Sequence, residues 1–175
     1  MPSPVGHALA GIAAGWAVAP AERTRASVVR RAAVYGLVAA SPDLDLLAGA
    51  HSGPTHGLGV ALIVGGMAWW FLRSRGAASA PRIACAMAVA YASHTLLDWL
   101  GTDTSPPIGL MALWPFSRDY YQSHLHIFMA ISRRYWLPEF WTYNLRALAR
   151  ELLILVPVVG VVVGRPFTRR RSRGV

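Results

Sequence analysis

The chain carries only eight acidic residues and six histidines among 175 residues. Three short stretches concentrate several of them: Ser41-Pro42-Asp43-Leu44-Asp45, His51-Ser52-Gly53-Pro54-Thr55-His56 and Ser93-His94-Thr95-Leu96-Leu97-Asp98. His7 stands ahead of these, Asp103 just beyond, and His124 and His126 apart. In a sequence that is 54% hydrophobic, grouping carboxylates with imidazoles costs desolvation energy that mutual pairing or a metal ion offsets. A metal centre is therefore the first expectation.

The spacings sharpen it. His94 and Asp98, four apart, share one face of a helix about one turn from each other and reach a single ion, although the same spacing also suits a plain His–Asp hydrogen bond. Asp43 follows a proline, an ordinary place for a turn-capping aspartate, but a cap does not account for Asp45 two residues on. Carboxylates held close repel unless a cation lies between them. Mixed nitrogen and oxygen donors suit zinc, with manganese or iron as alternatives, and there is no cysteine cluster of the structural zinc-finger kind. The single Cys85 reads as a small core residue. His7, Asp43, Asp45, His51, His56, His94 and Asp98 exceed the four donors of a closed tetrahedral site, so either more than one ion binds or some of them act as bases and orienting partners. His124 and His126 read as interfacial histidines bonded to water or carbonyls, and Asp103 as an orienting acceptor or a loop cap.

The elements that position these residues are helices in a membrane. A mean hydropathy of +0.38 exceeds that of ordinary soluble domains, and Leu46 to Leu72 contains no charged residue, enough for a helix to cross a core that needs about 20 residues. The expected fold is all-α, a polytopic membrane helix bundle of about five transmembrane helices near 5–18, 27–40, 55–72, 81–101 and 144–164. An amphipathic, aromatic interfacial segment is expected over 119–140. Residues 1–164 form one membrane-embedded domain and 165–175 a basic tail. Gly11 and Gly15, four apart, would admit a close neighbouring helix, and Pro42 would end the second helix.

The net charge of +9 comes wholly from arginine. Arg23, Arg25, Arg30 and Arg31, then Arg73, Arg75 and Arg82, then the tail from Arg165 to Arg173 occupy alternate connections, the positive-inside pattern of a membrane protein. A nucleic-acid surface would instead cluster its arginines with interleaved aromatics, so no nucleic-acid partner is expected. Without the positively charged start of a cleaved signal peptide, the first apolar segment is expected to be retained. Arginines on the cytoplasmic side give an outside N-terminus and a cytoplasmic tail, and bring His7, Asp43, Asp45, His51, His56, His94 and Asp98 to the non-cytoplasmic face.

Taken in order, His7, Pro42-Asp43-Leu44-Asp45, His51 to His56, Ser93 to Asp98 and Trp114-Pro115-Phe116 resemble the YdjM-like family of membrane-bound metal-dependent hydrolases over about residues 1–118. That pattern is in turn distantly similar to the zinc-dependent phospholipase C and P1 nuclease group, which also uses a His-x-x-x-Asp helix pair. Ser52 stands where the family usually has Arg, and Gly57 where it usually has Ser. The resemblance implies an inner-membrane hydrolase, with a metal-activated water attacking a phosphoester of a lipid or lipid-linked substrate. His7, Asp45, His51, His56, His94 and Asp98 would hold metal, and Asp43 or Asp45 would serve catalysis. Arg118, Arg133 or Arg134 would replace the missing arginine in neutralising substrate charge. The alternatives are a metal transporter, which calls for ligands at the membrane midplane, and a noncatalytic membrane partner whose basic tail binds anionic lipid or a regulator.

Overall fold

In the computed structural model, residues 1–20, 24–49 and 52–164 are described. Local sequence sets the helix boundaries. Helix α1 (Pro4–Val18) begins where the Ser3 side chain accepts from the Gly6 amide at 3.1 Å and Pro4 fills the first turn, a position where its missing N–H costs nothing. Helix α2 (Arg25–Ala40) is capped by Thr24, whose hydroxyl oxygen accepts from the Ser27 amide at 3.2 Å. At Ser41-Pro42 the α geometry stops and the chain tightens into a 3₁₀ segment, Ser41–Ala48, closed by Gly49 at φ 71°. A second short 3₁₀ turn, Pro54–His56, leads into α3 (Leu58–Ser74), followed by α4 (Ala80–Leu100) and α5 (Phe140–Gly164).

The secondary structure of the described residues is thus all-helical, and their five α-helices lie within a few residues of the expected bounds; α5 starts at Phe140, earlier than Asn144. Among the described residues there is no β-strand, only isolated bridges at Gly101–Phe128 and Leu110–Tyr121. These bridges belong to the stretch expected to lie as an amphipathic interfacial segment. Residues 119–139 contain no helix: Thr102 N–H bonds Phe128 O at 2.9 Å, Ile127 N–H bonds Leu100 O at 2.8 Å and Leu110 exchanges bonds with Tyr121, so the backbone is satisfied by the loop after α4 instead of by helical turns. Tyr135, Trp136 and Trp141 near its end remain exposed.

Helix α1 is the hub, packing on α2, α4 and α5, while α3 packs on α4. The close approach of α2 depends on the two glycines. A Cβ at Gly11 would run into the Ala39 methyl group and lie 2.7 Å from Tyr35 O, and one at Gly15 would lie 2.5 Å from the Tyr35 ring. Tyr35 and Ala39 are fully buried in that joint, where small residues bring backbones together, and Ala86 and Ala90 of α4 are buried with Tyr35 beside it. Among the described residues two helices, α4 and α5, are long and apolar enough to cross a membrane; α1 and α3 are apolar but only 15 and 17 residues long. Much of α5 presents apolar side chains outward, including Leu153, Val156 and Val161, a face suited to lipid rather than water.

Candidate metal centre

The helix ends bring five of the seven candidate ligands to one place. His7 lies in the first turn of α1, Asp43 in the first turn after α2, His56 just before α3, and His94 and Asp98 in the last turns of α4. His7, His56, His94 and Asp98 are essentially inaccessible, and Asp43 is partly exposed. Asp98 stands between the imidazoles: its Oδ1 is 3.3 Å from His7 Nε2, and its Oδ2 is 3.1 Å from His94 Nε2 and 3.6 Å from His56 Nε2. Asp43 Oδ1 approaches His56 Nε2 at 3.7 Å and His94 Nε2 at 3.8 Å. Two triads, His7–His94–Asp98 and Asp43–His56–His94, each offer one ligand atom per residue, all within 4.8 Å of one another.

These inward atoms are left over after the ordinary hydrogen bonds are made. Among the described residues, both nitrogens of His7, Nε2 of His56 and of His94, and both oxygens of Asp98 are buried without a hydrogen-bond partner. Such orphans in a buried site are costly unless something else satisfies them; a divalent cation accepts all of these donor types at once. The rings are also oriented from behind. His94 Nδ1 lies 2.8 Å from Ala39 O, which leaves Nε2 as the inward lone pair. His56 Nδ1 lies 3.1 Å from Thr55 Oγ1 and 3.4 Å from Asp45 Oδ2, and Thr55 donates to Asp45 at 2.8 Å. The outer nitrogen of a ligating histidine is held in this way in metal sites. Helix α4 fixes the backbone under His56: Thr95 Oγ1 donates to His56 O and Tyr91 OH to Thr55 O, both at 2.7 Å.

The donors divide naturally into two sets. The His7 and His94 rings stack with centroids 3.7 Å apart and planes 20° apart. An ion lies in the plane of the imidazole that binds it, and nearly parallel planes at that spacing have no common point near both Nε2 atoms. Asp98 faces the two rings with different oxygens. One set is then His94, His56, Asp43 and one Asp98 oxygen; the other is His7 and the second Asp98 oxygen.

The remaining candidates fall elsewhere. Asp45 touches the outer nitrogen of His56 rather than the shared space. His51 and the arginine tail lie outside the described residues. Arg133 and Arg134 line a cleft of about 900 Å³ together with Asp43, Leu44, Leu47 and Phe140, whereas exposed Arg118 is not part of its wall. Asp103 accepts from Ser105 N at 3.0 Å and Gly109 N at 2.9 Å, so it caps its loop. His124 and His126 are exposed. Burial pushes the Asp43 carboxyl up, but the imidazoles of His56, His7 and His94 around it outweigh that and hold the group below its ordinary value, so it stays ionised at neutral pH.

Sequence reasoning passed over Glu151. It is fully buried on α5 and accepts from both the amide and the hydroxyl of Ser3, at the start of the helix that carries His7. The available signal was an acid directly before the uncharged run Leu152 to Gly164.

A family model described as YdjM inner membrane protein matches residues 1–171. Neither the curated proteins nor the solved structures contain a match.

Proposed function

The chain belongs to the YdjM inner membrane protein family, and from that premise we propose that it is a membrane-bound metal-dependent hydrolase acting on a phosphoester of a lipid or lipid-linked substrate. The observation that carries this reading is the set of buried, inward-facing His and Asp atoms with no hydrogen-bond partner among the described residues. His94, His56, Asp43 and one oxygen of Asp98 would hold one divalent ion, and His7 with the other oxygen of Asp98 a second. Zinc fits the donor chemistry best, with manganese or iron as alternatives. When bound, such ions supply Lewis acidity toward phosphoryl oxygens and acidify water toward a pKa of ~7.

The chain's own residues supply the rest. Asp43 is the one cluster residue that also lines the cleft, so it meets substrate first and, being ionised, is placed to take a proton from the attacking water. Arg133 and Arg134 on the same wall neutralise a phosphate, and Leu44, Leu47 and Phe140 beside them accept hydrocarbon. Asp45 acts through the outer nitrogen of His56, raising its basicity as a ligand.

In the membrane, we place five crossings, with the shorter helices tilted into a locally thinned bilayer and the cluster near the non-cytoplasmic surface. We assign Arg25 at the start of α2, Arg73 and Arg75 at the end of α3 and Arg82 in the first turn of α4 to the cytoplasmic side. Donors at helix ends suit a site opening to the membrane surface better than a transport path, which needs them at midplane. The test is bound-metal analysis of detergent-purified protein, followed by turnover assays with phosphatase and phosphodiesterase lipid substrates. Stoichiometric metal with turnover that falls on His94→Ala supports the hydrolase; metal without turnover on any phosphoester contradicts it.

A further inference from the structure

Glu151 plays no part in the site as described so far, yet it is as deeply buried as the candidate ligands. A carboxylate in such a position must have its oxygens occupied. Both are: Oε1 accepts from the Ser3 amide at 2.7 Å, and Oε2 accepts from the Ser3 hydroxyl. The same Ser3 oxygen caps α1 by accepting from Gly6 N, and Ser3 O accepts from the His7 amide at 3.1 Å. Gly6 leaves room for the carboxylate, since a Cβ there would lie 2.7 Å from Oε2.

His7 needs this support in a way the other histidines do not. His94 is turned by Ala39 O, and His56 by Thr55 and Asp45, through their outer nitrogens. The outer nitrogen of His7 has no partner among the described residues. Apart from its contact with Asp98, its ring is therefore placed by packing, including its stack on His94, and by the backbone of the first turn of α1. That turn is tied to α5 through Ser3 and Glu151.

We propose that Glu151 is the positioning residue for His7: by clamping both hydrogen-bond donors of Ser3 it fixes the first turn of α1, and so decides whether His7 reaches the ion it shares with Asp98. The inference rests on the metal reading above. It makes metal loading at His7 depend on the docking of α5, a helix that contributes no ligand itself.

The test is a cobalt(II) titration of the full-length, detergent-purified chain, with bound metal counted by mass spectrometry and helix melting followed in parallel. Glu151→Met keeps the side-chain bulk and removes both acceptors, Glu151→Gln keeps one carbonyl acceptor, and Ser3→Ala removes the hydroxyl link. The loss of an orienting partner costs about 10- to 100-fold in metal affinity. Glu151→Met is expected to weaken one cobalt equivalent by that factor, the equivalent that His7→Ala also removes, and to leave the other within about 3-fold of wild type, well below that range. Glu151→Gln and Ser3→Ala should fall between Met and wild type.

Equal affinity for both equivalents in Glu151→Met and Ser3→Ala would overturn the proposal, as would equal weakening of both ions, which marks a merely structural role. Should Glu151→Met not fold, Glu151→Gln and Ser3→Ala decide by the same criterion. A wild-type chain that binds no cobalt removes the metal reading and this inference together, whereas normal wild-type loading with unchanged variants removes the inference alone.

Discussion

The joint between α1 and α2 and the cluster at the ends of α1 and α4 are both buried and both contain polar groups, but they treat those groups in opposite ways. At the joint, the hydroxyl of fully buried Tyr35 donates to Ala19 O at 2.7 Å and receives Arg31 at 3.3 Å, leaving nothing unsatisfied. At the cluster, atoms of His7, Asp45, His56, His94 and Asp98 are left without partners, and among the described residues every such atom belongs to these five side chains. The fold is therefore able to satisfy buried polar groups where structure is all that is required. Where it does not, the unpartnered atoms come from side chains grouped closely enough to hold a metal ion.

The comparison breaks most readily at the cluster. Asp98→Ala removes the residue common to both ligand sets, and bound metal in the purified protein should fall to background while the helical circular dichroism signal persists; His94→Ala removes a ligand of one set and should cost one equivalent. A variant that keeps its metal would show that the cluster is only a hydrogen-bonded core. Next in size is a change at the joint: Gly11→Val drives a side chain into Ala39 and Tyr35 and should lower the melting temperature, overpacking costing about 1–3 kcal/mol. Whatever protein remains folded should bind metal normally, which would separate packing from chemistry.

Smaller effects sharpen the contrast. Thr55→Val removes the hydrogen bond to Asp45 and loosens the outer edge of His56, so metal affinity should drop about 10-fold with little change in melting. Tyr35→Phe is the reverse case. It deletes one satisfied hydrogen bond at the joint, costing about 0.5–1.5 kcal/mol, and metal content measured by mass spectrometry should not change.

Much of this arrangement was legible in the sequence because the relevant residues are scarce. Aspartate and histidine in so apolar a chain stand out, and Pro4, Pro42 and the Gly11–Gly15 pair mark helix boundaries and a close contact that the structure reproduces. Where local pattern competes with distant partners, the sequence was silent or misleading. The stretch over 119–139 has the aromatic content of an interfacial segment, but its backbone is claimed by the loop after α4, through bonds to residues such as Leu100, Thr102 and Leu110. Asp45 looks equivalent to Asp43 in a Pro-Asp-x-Asp run, yet the 3₁₀ winding of Ser41–Ala48 sends the two carboxylates to different nitrogens of His56. Glu151 was hidden for a simpler reason: its partner, Ser3, lies 148 residues away, and no short-range spacing signals such a pair.

The central claim, that the orphaned His and Asp atoms are metal ligands, is tested most directly by metal content after reconstitution of the purified chain with zinc and removal of excess. Two equivalents in the wild-type protein and none in a His94→Ala, Asp98→Ala double variant is the result this account predicts. A folded wild-type chain that retains no zinc, manganese or iron, or a double variant that retains as much as wild type, would contradict it.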